Sequence, residues 1–328
     1  AIEKGIHPND SIKENIENMR IRLRAIGASY DWDREISTHD SSYYKWDQWL
    51  FLKLLENGLA YKKKALGNWC PQCKTTLAND GVEAGKCWRC HTEVYQKEID
   101  QWFVKVTKYA DQLLDGLDKI DWSNKLKSLQ RNWIGKSKGI EIFFEETKTK
   151  DVLNVFTTRP DTIFSVTFLV FAPEHPKVME YVKGTKYEAQ VKEFLKRTKK
   201  LSELDRISKE KDGLFIGRYA INPANGDKIP IYIGNFVIMN YGTGIVLADA
   251  HDQRDFEFAR KYDIPLKFVI SPDGKPIDAN KASSALLSDG ILFGSGEFSG
   301  THNRKALPLM IDWLVKTKKG RNVTNYKL

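Results

Sequence analysis

The sequence predicts an α/β chain of the α+β type, in which a helical, cysteine-containing N-terminal part precedes a strand-rich domain with peripheral helices. Up to about residue 130 the apolar residues recur at helical spacing, whereas from Gly139 onward short β-branched runs alternate with turns. All four cysteines lie in one stretch of the first part, in two C-x2-C pairs. A chain of 328 residues is long enough for two or three domains with separate cores.

Three helices are predicted in the N-terminal part. The first runs from Ser11 to Ile26, where Ser11 and Glu14 form a capping box and Gly27 ends the helix. The second, Tyr43 to Gly58, is apolar on nearly all sides, so we expect it to be buried against other elements. The third, Asp100 to Leu117, follows a cysteine-containing loop region that extends from Gly67 to about Gln96.

The second part begins after a break in periodicity at Gln130 to Gly139, where we place a domain boundary. Its predicted strands are rich in β-branched and aromatic residues and lie in GIEIFF, DVLNVFTT, TFLVFAP, KIPIYIGNFVIM and PLKFVISPDG. Its predicted helices lie near Gly184 to Leu201, Asp252 to Tyr262 and Asn303 to Lys318.

The chain is basic, with a net charge of +9 and a pI of about 9.1. This balance fits RNA or DNA as a partner, because Lys and Arg bind phosphates of any sequence. A lysine-rich surface without such a partner explains the charge equally well. No apolar run of about 18 residues and no signal-peptide core occurs, so we expect no membrane association and a cytoplasmic location. The chain begins with Ala rather than Met, which indicates a processed protein or a piece of a longer one.

The cysteines form two C-x2-C pairs, Cys70 with Cys73 and Cys87 with Cys90. Two such turns bring four thiolates within reach of one tetrahedral zinc ion, and disulfides are not expected in a cytosolic chain. Four thiolates close the coordination sphere, so the spacing predicts a structural zinc site rather than a catalytic one. His91 could replace one thiolate, but with four cysteines present we interpret it as a surface or outer-shell residue.

Hydroxyl groups crowd the segment TTRPDTIFSVTF, which begins at Thr157. Arg159 precedes Pro160 and is therefore biased to extended geometry, so the strand should end at Thr157 and Thr158 and turn at Pro160 and Asp161. Taken alone, the segment is explained by strand propensity and by capping of a following helix.

A second polar segment, Tyr241 to Tyr262, leads from a Gly-rich turn through a short apolar strand into an amphipathic helix. Asp252 and Asp255 are three residues apart at the helix start, so they share a face on which the helix dipole stabilises negative charge. These carboxylates opposite the Thr hydroxyls would suit a substrate with an ammonium group and a carbonyl. His251 could act as a general base, but a His without a defined partner is more often an orienting residue.

The chain resembles an internal piece of a bacterial-type leucyl-tRNA synthetase, a class I enzyme. The resemblance extends over nearly the whole chain, through SYDWDREIST, WDQWLFLKLLENGLAYKK, NWCPQC and CWRC, QRNWIGKS, TTRPDT, FLVFAPEHP, INPANGDKIPIYI and HDQRDFEFA in family order. Valyl and isoleucyl enzymes share the general pattern, whereas TTRPDT together with HDQRDFEFA is nearest to the leucyl type. The HIGH and KMSKS motifs of the catalytic core are missing, so leucine activation by this chain alone is not expected.

The resemblance implies a fragment with the zinc module and a β-barrel-like editing domain that hydrolyses the ester of mischarged tRNA(Leu), such as norvalyl- or isoleucyl-tRNA. The parent enzyme would ligate leucine to tRNA(Leu) with ATP. Implied partners are the 3′ end of tRNA(Leu) and the rest of the synthetase chain, with a monomer as the expected state. Apart from the structural zinc, no cofactor is expected for the hydrolysis, which depends on orientation and oxyanion stabilisation.

By motif position, the resemblance implies that Thr162 is the steric sieve that excludes the branched γ-carbon of leucine. Asp255 would anchor the α-ammonium group, while Thr157 and Thr158 would hydrogen-bond the scissile carbonyl or the attacking water; these three form the predicted catalytic set. Further substrate-binding residues would be Arg159, Asp161, Leu247, His251 and Asp252.

Two positions depart from the family pattern. Ser165 stands where the family usually has Gly, and Asp249 stands where it has a Val-Pro pair, in a segment one residue shorter. Two alternatives therefore stay open: a non-catalytic tRNA-binding fragment with a crippled editing pocket, and a valyl- or isoleucyl-type editing domain.

The predicted organisation has five parts. They are 1–66, helical periphery of the catalytic domain; 67–96, zinc ribbon; 97–135, helical return segment and linker; 136–322, editing domain; and 323–328, the start of the return to the catalytic core.

Overall fold

The structure is a computed structural model that describes residues 5–83, 85–198, 206, 211–239 and 242–328. The end of the predicted helix Gly184 to Leu201 and the first residue of the segment Tyr241 to Tyr262 lie outside these ranges. The chain divides into two compact units, Ala1–Lys62 with Trp102–Lys105 and Lys63–Gln101 with Val106–Leu328. Among the described residues, no helix has the length and apolar character needed to cross a membrane.

The helices are amphipathic or capped as their sequences indicate. They are α1 (Pro8–Ala25), α2 (Ser41–Glu56), α3 (Ala110–Gly116), α4 (Asn124–Ile134), α5 (Pro176–Val182), α6 (Glu188–Thr198), α7 (Gln253–Lys261) and α8 (Asn303–Lys316).

The strands have between two and eleven residues. They are β1 (Ala60–Cys70), β2 (Thr75–Leu77), β3 (Val82–Glu83), β4 (Lys86–Cys87), β5 (Tyr95–Val104), β6 (Ser137–Glu146), β7 (Val152–Thr157), β8 (Phe168–Phe171), β9 (Gly213–Ile221), β10 (Lys228–Gly234), β11 (Ile245–Ala248), β12 (Ile270–Ser271), β13 (Ile291–Leu292) and β14 (Gly320–Asn325).

Two N-terminal predictions need correction. Helix α1 begins at Pro8 with His7 as its N-cap, so Ser11 lies within the helix and the predicted capping box is wrong. Pro favours the first helical turn because its missing N–H would be unpaired there in any case. The prediction that α2 is buried is also wrong, since no residue of α2 is buried. The small first unit has too few elements to cover an apolar surface on all sides of a helix.

The predicted helix Asp100 to Leu117 is only partly correct. Its first residues belong to β5, which pairs in a three-stranded sheet of order β2-β1-β5, and the helical part is confined to α3 and short flanking turns. Exposed and half-buried positions alternate along β5, as expected of a strand with one solvated face. Pairing with β1 therefore overrides the helical spacing of the apolar residues.

The C-terminal part is built on a mixed seven-stranded sheet of order β11-β8-β10-β9-β6-β14, with β7 also paired to β6. Strands β8 and β10 are parallel, and the other pairs are antiparallel. The prediction of a barrel-like domain is corrected, because no ladder among the described residues closes this sheet. Strands β7 and β11 are instead linked by a side chain: the Thr243 hydroxyl, just before the four-residue β11, donates to the Asn154 carbonyl.

Strand β8 is buried on both faces of the sheet, which explains its uninterrupted apolar sequence. Leu169 and Phe171 belong to the main core together with α5, α6 and α8, whereas Phe168 and Val170 belong to a second cluster. In that second cluster the ring of Phe258 from α7 stacks on Phe168 at a centroid distance of 5.6 Å. The start of α7 is therefore held against the end of the sheet.

Close packing at Gly139 leads to a test of the strand that carries Thr157. A Cβ atom at Gly139 would meet the Thr157 carbonyl oxygen and lie 2.8 Å from the Phe156 ring. We expect Gly139→Ala to lower the free energy of unfolding by about 1–3 kcal/mol, as overpacking does. Gly116→Ala is the matched control, because the space around Gly116 is open and its φ is −66°. Equal denaturant midpoints for the two variants would contradict this packing.

Candidate active site

The first wall of the site is the turn that follows β7. The strand ends at Thr157, and the Arg159 N–H donates to the Thr157 hydroxyl oxygen at 3.0 Å. Pro160 then begins a 3-10 helix, Pro160–Ser165, as the predicted turn at Pro160 and Asp161 requires. Thr157 is half-buried and Thr158 is exposed, so the Thr158 hydroxyl is open to solvent.

An ion pair between half-buried Arg159 and buried Asp161 fixes this turn. The Arg159 guanidinium donates to both carboxylate oxygens of Asp161, with Nε–Oδ1 and Nη2–Oδ2 distances of 2.9 Å. Asp161 is fully buried and also accepts a hydrogen bond from the Asn303 amide at the start of α8, at 3.0 Å. The hydrogen bond to Asp161 raises the pKa of Arg159. Asp161 therefore holds Arg159 in place, and its carboxylate is already occupied.

Thr162 and Ser165 complete the wall inside the 3-10 helix. The Thr162 hydroxyl donates to the Arg159 carbonyl at 3.0 Å, and the Ser165 hydroxyl donates to the Thr162 carbonyl at 2.6 Å. The Asn222 amide, from the turn after β9, donates to the Ile163 carbonyl at 2.8 Å. Ser165 is thus accommodated by a local backbone hydrogen bond.

The second wall is the segment from the end of β11 to the start of α7. Asp252 is the N-cap of α7, where its carboxylate accepts hydrogen bonds from the N–H groups of Arg254 and Asp255. Burial raises the pKa of Asp252, but hydrogen bonds from Arg254 outweigh that effect, so its pKa lies below the usual range. The predicted position of both carboxylates at this helix start is confirmed.

Asp255 lies in the first turn of α7 and is buried, with 7% of its surface exposed. Burial raises its pKa well above the usual range, and the nearby charges of Asp252 and Asp249 raise it further. Within the described ranges, no ion pair to Asp255 with a Lys, Arg or His is found. The nearby charge of Arg254, which is paired with Asp252, lowers the pKa of Asp255, so the arrangement is a buried carboxylate with two acidic neighbours and no ion-pair partner of its own among the described residues.

His251 has both ring nitrogens bound to the main chain. Nε2 accepts the Val269 N–H at 3.1 Å, so Nδ1 is the protonated nitrogen and donates to the Leu286 carbonyl at 3.0 Å. Burial lowers the pKa of His251, which keeps the ring neutral. The imidazole therefore orients the loop, and neither nitrogen is available to a substrate.

The two walls meet around Asp249, which sequence reasoning singled out only as a departure from the family pattern. Its carboxylate interacts with the Thr162 hydroxyl of the first wall, and its N–H donates to the Asp255 carboxylate of the second. The Thr167 N–H also donates to the Ala248 carbonyl at 3.1 Å. Leu247, two residues before Asp249, is half-buried in the ladder between β11 and β8.

Sequence reasoning did not identify Asn222 or Asn303 as parts of the site. Both side chains anchor the first wall from distant elements, and Asn303 is 142 residues from Asp161 in the chain. Asn222 lies in the segment INPANGDKIPIYI, which carries the family resemblance but gives no hint of a contact with the first wall, and Asn303 lies in none of the quoted segments.

The four cysteines form a separate cluster whose geometry fits a metal ion. Their sulfur atoms all lie within 4.8 Å of one another, with Cys70–Cys90 at 3.4 Å and Cys73–Cys87 at 4.0 Å. A tetrahedral site with metal–sulfur distances of about 2.3 Å needs sulfur atoms about 3.8 Å apart. These thiols could therefore hold a metal such as zinc.

The backbone around the two cysteine pairs is alike. The residue after each pair, Lys74 or His91, has a positive φ, of 50° and 57° respectively, and turns the chain back. Hydrogen bonds from Thr92 lower the pKa of Cys90 to about 6, whereas the neighbouring Cys90 thiol raises the pKa of Cys73 to about 12. A bound cation stabilises neighbouring thiolates, which otherwise repel one another. His91 is exposed, as expected of a residue outside the ligand set.

Comparison with known proteins adds a family context. The family model "Leucyl-tRNA synthetase, editing domain" matches residues 131–315, and the model for class I tRNA synthetases (I, L, M and V) matches residues 9–139. The chain is 50% identical to the leucine–tRNA ligase of Thermotoga maritima and 49% identical to that of Petrotoga mobilis. In both cases the similarity covers 100% of this chain and 40% of the relative.

A solved structure agrees with this relationship. The ternary complex of Agrobacterium radiobacter K84 agnB2 LeuRS with tRNA and LeuAMS matches with a TM-score of 0.72 at 32% identity. The match covers 100% of this chain and 38% of that chain. The chain therefore spans about 40% of the length of the curated relatives it matches.

Proposed function

The chain belongs to the leucyl-tRNA synthetase family and contains its editing-domain region, and we propose that this region hydrolyses the ester of mischarged tRNA(Leu). The observation that carries the proposal is the Asp255 carboxylate, which is buried next to the Thr-rich turn and forms no ion pair within the described part of the chain. The substrates are norvalyl- and isoleucyl-tRNA(Leu), whose amino acids resemble leucine too closely to be rejected by a single pocket. One methylene in an apolar pocket discriminates by only about 1–3 kcal/mol.

Asp255 recognises the α-ammonium group of the aminoacyl ester. Burying a carboxylate beside other acids is unfavourable unless a positive charge compensates it. The α7 N-terminus, the Asp249 N–H and the nearby charge of Arg254 favour the ionised form, but none of them forms an ion pair with the carboxylate. A substrate ammonium group supplies it, which brings the ester carbonyl to a fixed position relative to Thr162.

The first wall orients the ester and the attacking water. The Thr157 hydroxyl oxygen accepts the Arg159 N–H, so its own proton can be donated to the carbonyl oxygen, and the exposed Thr158 hydroxyl can bind the water. The water oxygen attacks the carbonyl carbon and the bond to the ribose oxygen breaks. The water proton passes to that ribose oxygen, so the products are the free amino acid and uncharged tRNA.

The remaining wall residues hold the 3′ end of tRNA(Leu) and exclude leucine. Asp161 engages Nε and Nη2 of Arg159, which leaves Nη1 to reach the terminal adenosine. Thr162 is almost completely buried at the meeting point of the walls, where its side chain blocks the branched γ-carbon of leucine. Asp252, His251 and Leu247 support the strand and loop that lead into α7, the helix that carries Asp255.

Two observations favour this function over the alternatives retained from the sequence. Asp252 and Asp255 lie at the start of α7 despite the shorter preceding segment, and Ser165 bonds within its own turn, so neither departure deforms the site. The valyl or isoleucyl type is not supported by the relatives, which are leucine–tRNA ligases.

The cysteine cluster holds a structural zinc ion, and the hydrolysis itself uses no metal. Cys70, Cys73, Cys87 and Cys90 are the ligands, and four thiolates leave no position for substrate. As part of a longer synthetase that charges tRNA(Leu) with leucine using ATP, the chain acts as a monomer in the cytoplasm.

Replacement of Asp255 tests the proposed function. We expect Asp255→Asn to lower kcat/KM for deacylation of norvalyl-tRNA(Leu) roughly 100-fold, because the loss of a buried partner of a charge costs about 2–5 kcal/mol. Asp263→Asn is the matched control, since Asp263 is exposed at the end of the same helix in a conformation that Asn adopts readily. A wild-type rate no faster than spontaneous hydrolysis, or equal rates for the two variants, would overturn the proposal.

Removal of the metal tests the cysteine site. We expect one zinc ion per chain by elemental analysis, and Cys90→Ser to lower both the zinc content and the melting temperature. His91→Ala, which changes an exposed neighbour, should retain the metal. Chelation should leave the chemical step of deacylation unchanged in molecules that stay folded. Full zinc occupancy in Cys90→Ser would contradict the assignment.

A further inference from the structure

Asp249 joins the two walls of the candidate site. It follows β11 directly and is buried, with 5% of its surface exposed. Its Oδ1 atom accepts the His251 N–H at 2.6 Å, which closes a side-chain turn of the kind that Asp and Asn form with the residue two positions on. This turn replaces a backbone turn in the connection between the strand and α7.

The same residue contacts both side chains with proposed roles in substrate selection. Its N–H donates to the Asp255 carboxylate, and its own carboxylate interacts with the Thr162 hydroxyl. Asp249 therefore interacts with the ammonium-binding residue and with the residue that excludes leucine.

The contact with Thr162 bears on the orientation of that side chain. The Thr162 hydroxyl donates its one proton to the Arg159 carbonyl at 3.0 Å, and the Asp249 carboxyl group interacts with the same hydroxyl. Thr has few allowed rotamers, so holding Oγ1 in this position also fixes the direction of its methyl group. The Thr162 methyl group can exclude the branched side chain of leucine only if it always points in the same direction.

We infer that Asp249 is a positioning and specificity-determining residue, which sets the direction of the Thr162 methyl group and its distance from the Asp255 carboxylate. This inference rests on the proposed function, because it concerns the choice between aminoacyl groups at the same site. On this inference Asp249 takes the place of the family's Val-Pro pair and keeps the shorter loop in register with α7. Asn can form the same turn and offer the same Oδ1 acceptor, whereas Ala can do neither.

The test compares norvalyl-tRNA(Leu) with correctly charged leucyl-tRNA(Leu) as substrates of the full chain. We expect Asp249→Ala to lower the norvalyl-to-leucyl ratio of kcat/KM at least about tenfold, the scale of discrimination by small apolar groups. Asp249→Asn should keep the ratio within about threefold of the wild type, because the turn is preserved. Asp273→Ala is the control, since Asp273 forms the same type of turn, with Lys275 at 3.2 Å, in an exposed loop.

A second readout does not depend on hydrolysis. Calorimetry with adenosine carrying norvaline or leucine in a 3′-amide linkage should show the same loss of selectivity in Asp249→Ala. A purely structural role would weaken both analogues equally and lower the melting temperature. If the wild type is selective and Asp249→Ala has the same norvalyl-to-leucyl ratio, the role of Asp249 is overturned but the proposed function is not. A wild type that neither hydrolyses the ester nor binds either amide overturns the proposed function, and this inference with it.

Discussion

A carboxylate can be buried only where hydrogen bonds and a positive charge compensate the loss of water, and Asp255 meets only the first condition within the described part of the chain. The N-terminal turn of α7 and the Asp249 N–H stabilise its charge, while Asp249 and Asp252 oppose it. Stacking of Phe258 on Phe168 holds α7 against the sheet, so the carboxylate cannot move outward to solvent without loss of core contacts. The described part of the chain thus holds a buried carboxylate that lies near the charge of Arg254 but has no ion-pair partner.

The opposite wall depends on contacts between distant parts of the chain. Arg159 and Asp161 form a buried pair at the end of β7, and Asn303 at the start of α8 binds the same carboxylate. Asn222 holds the next carbonyl along the turn. A rigid wall suits selection by shape, because a pocket that widens by about an ångström no longer distinguishes leucine from a smaller amino acid.

Features that depend on neighbouring residues could be predicted from the sequence, and those that depend on distant partners could not. Asp252 and Asp255 lie at the start of α7 as their spacing indicates, and the C-x2-C pairs bring four sulfur atoms together. By contrast, the Asn303 contact joins positions 142 residues apart, and Asp100 lies in a strand because β5 pairs with β1. The expected barrel was wrong for the same reason, since periodicity does not show whether β7 and β11 pair, and no ladder joins them among the described residues. The roles of individual site residues stay predictions.

Titration of Asp255 shows whether its carboxylate is reserved for a substrate ammonium group. In protein labelled with ¹³C at Asp carboxyl groups, assigned through Asp255→Asn, we expect the pKa of Asp255 to lie above the usual Asp range. Binding of the norvalyl amide analogue should lower that pKa, because an opposite charge favours the ionised form. An analogue without the α-amino group should not lower it. An Asp255 pKa that is the same with and without the ammonium group would contradict the account.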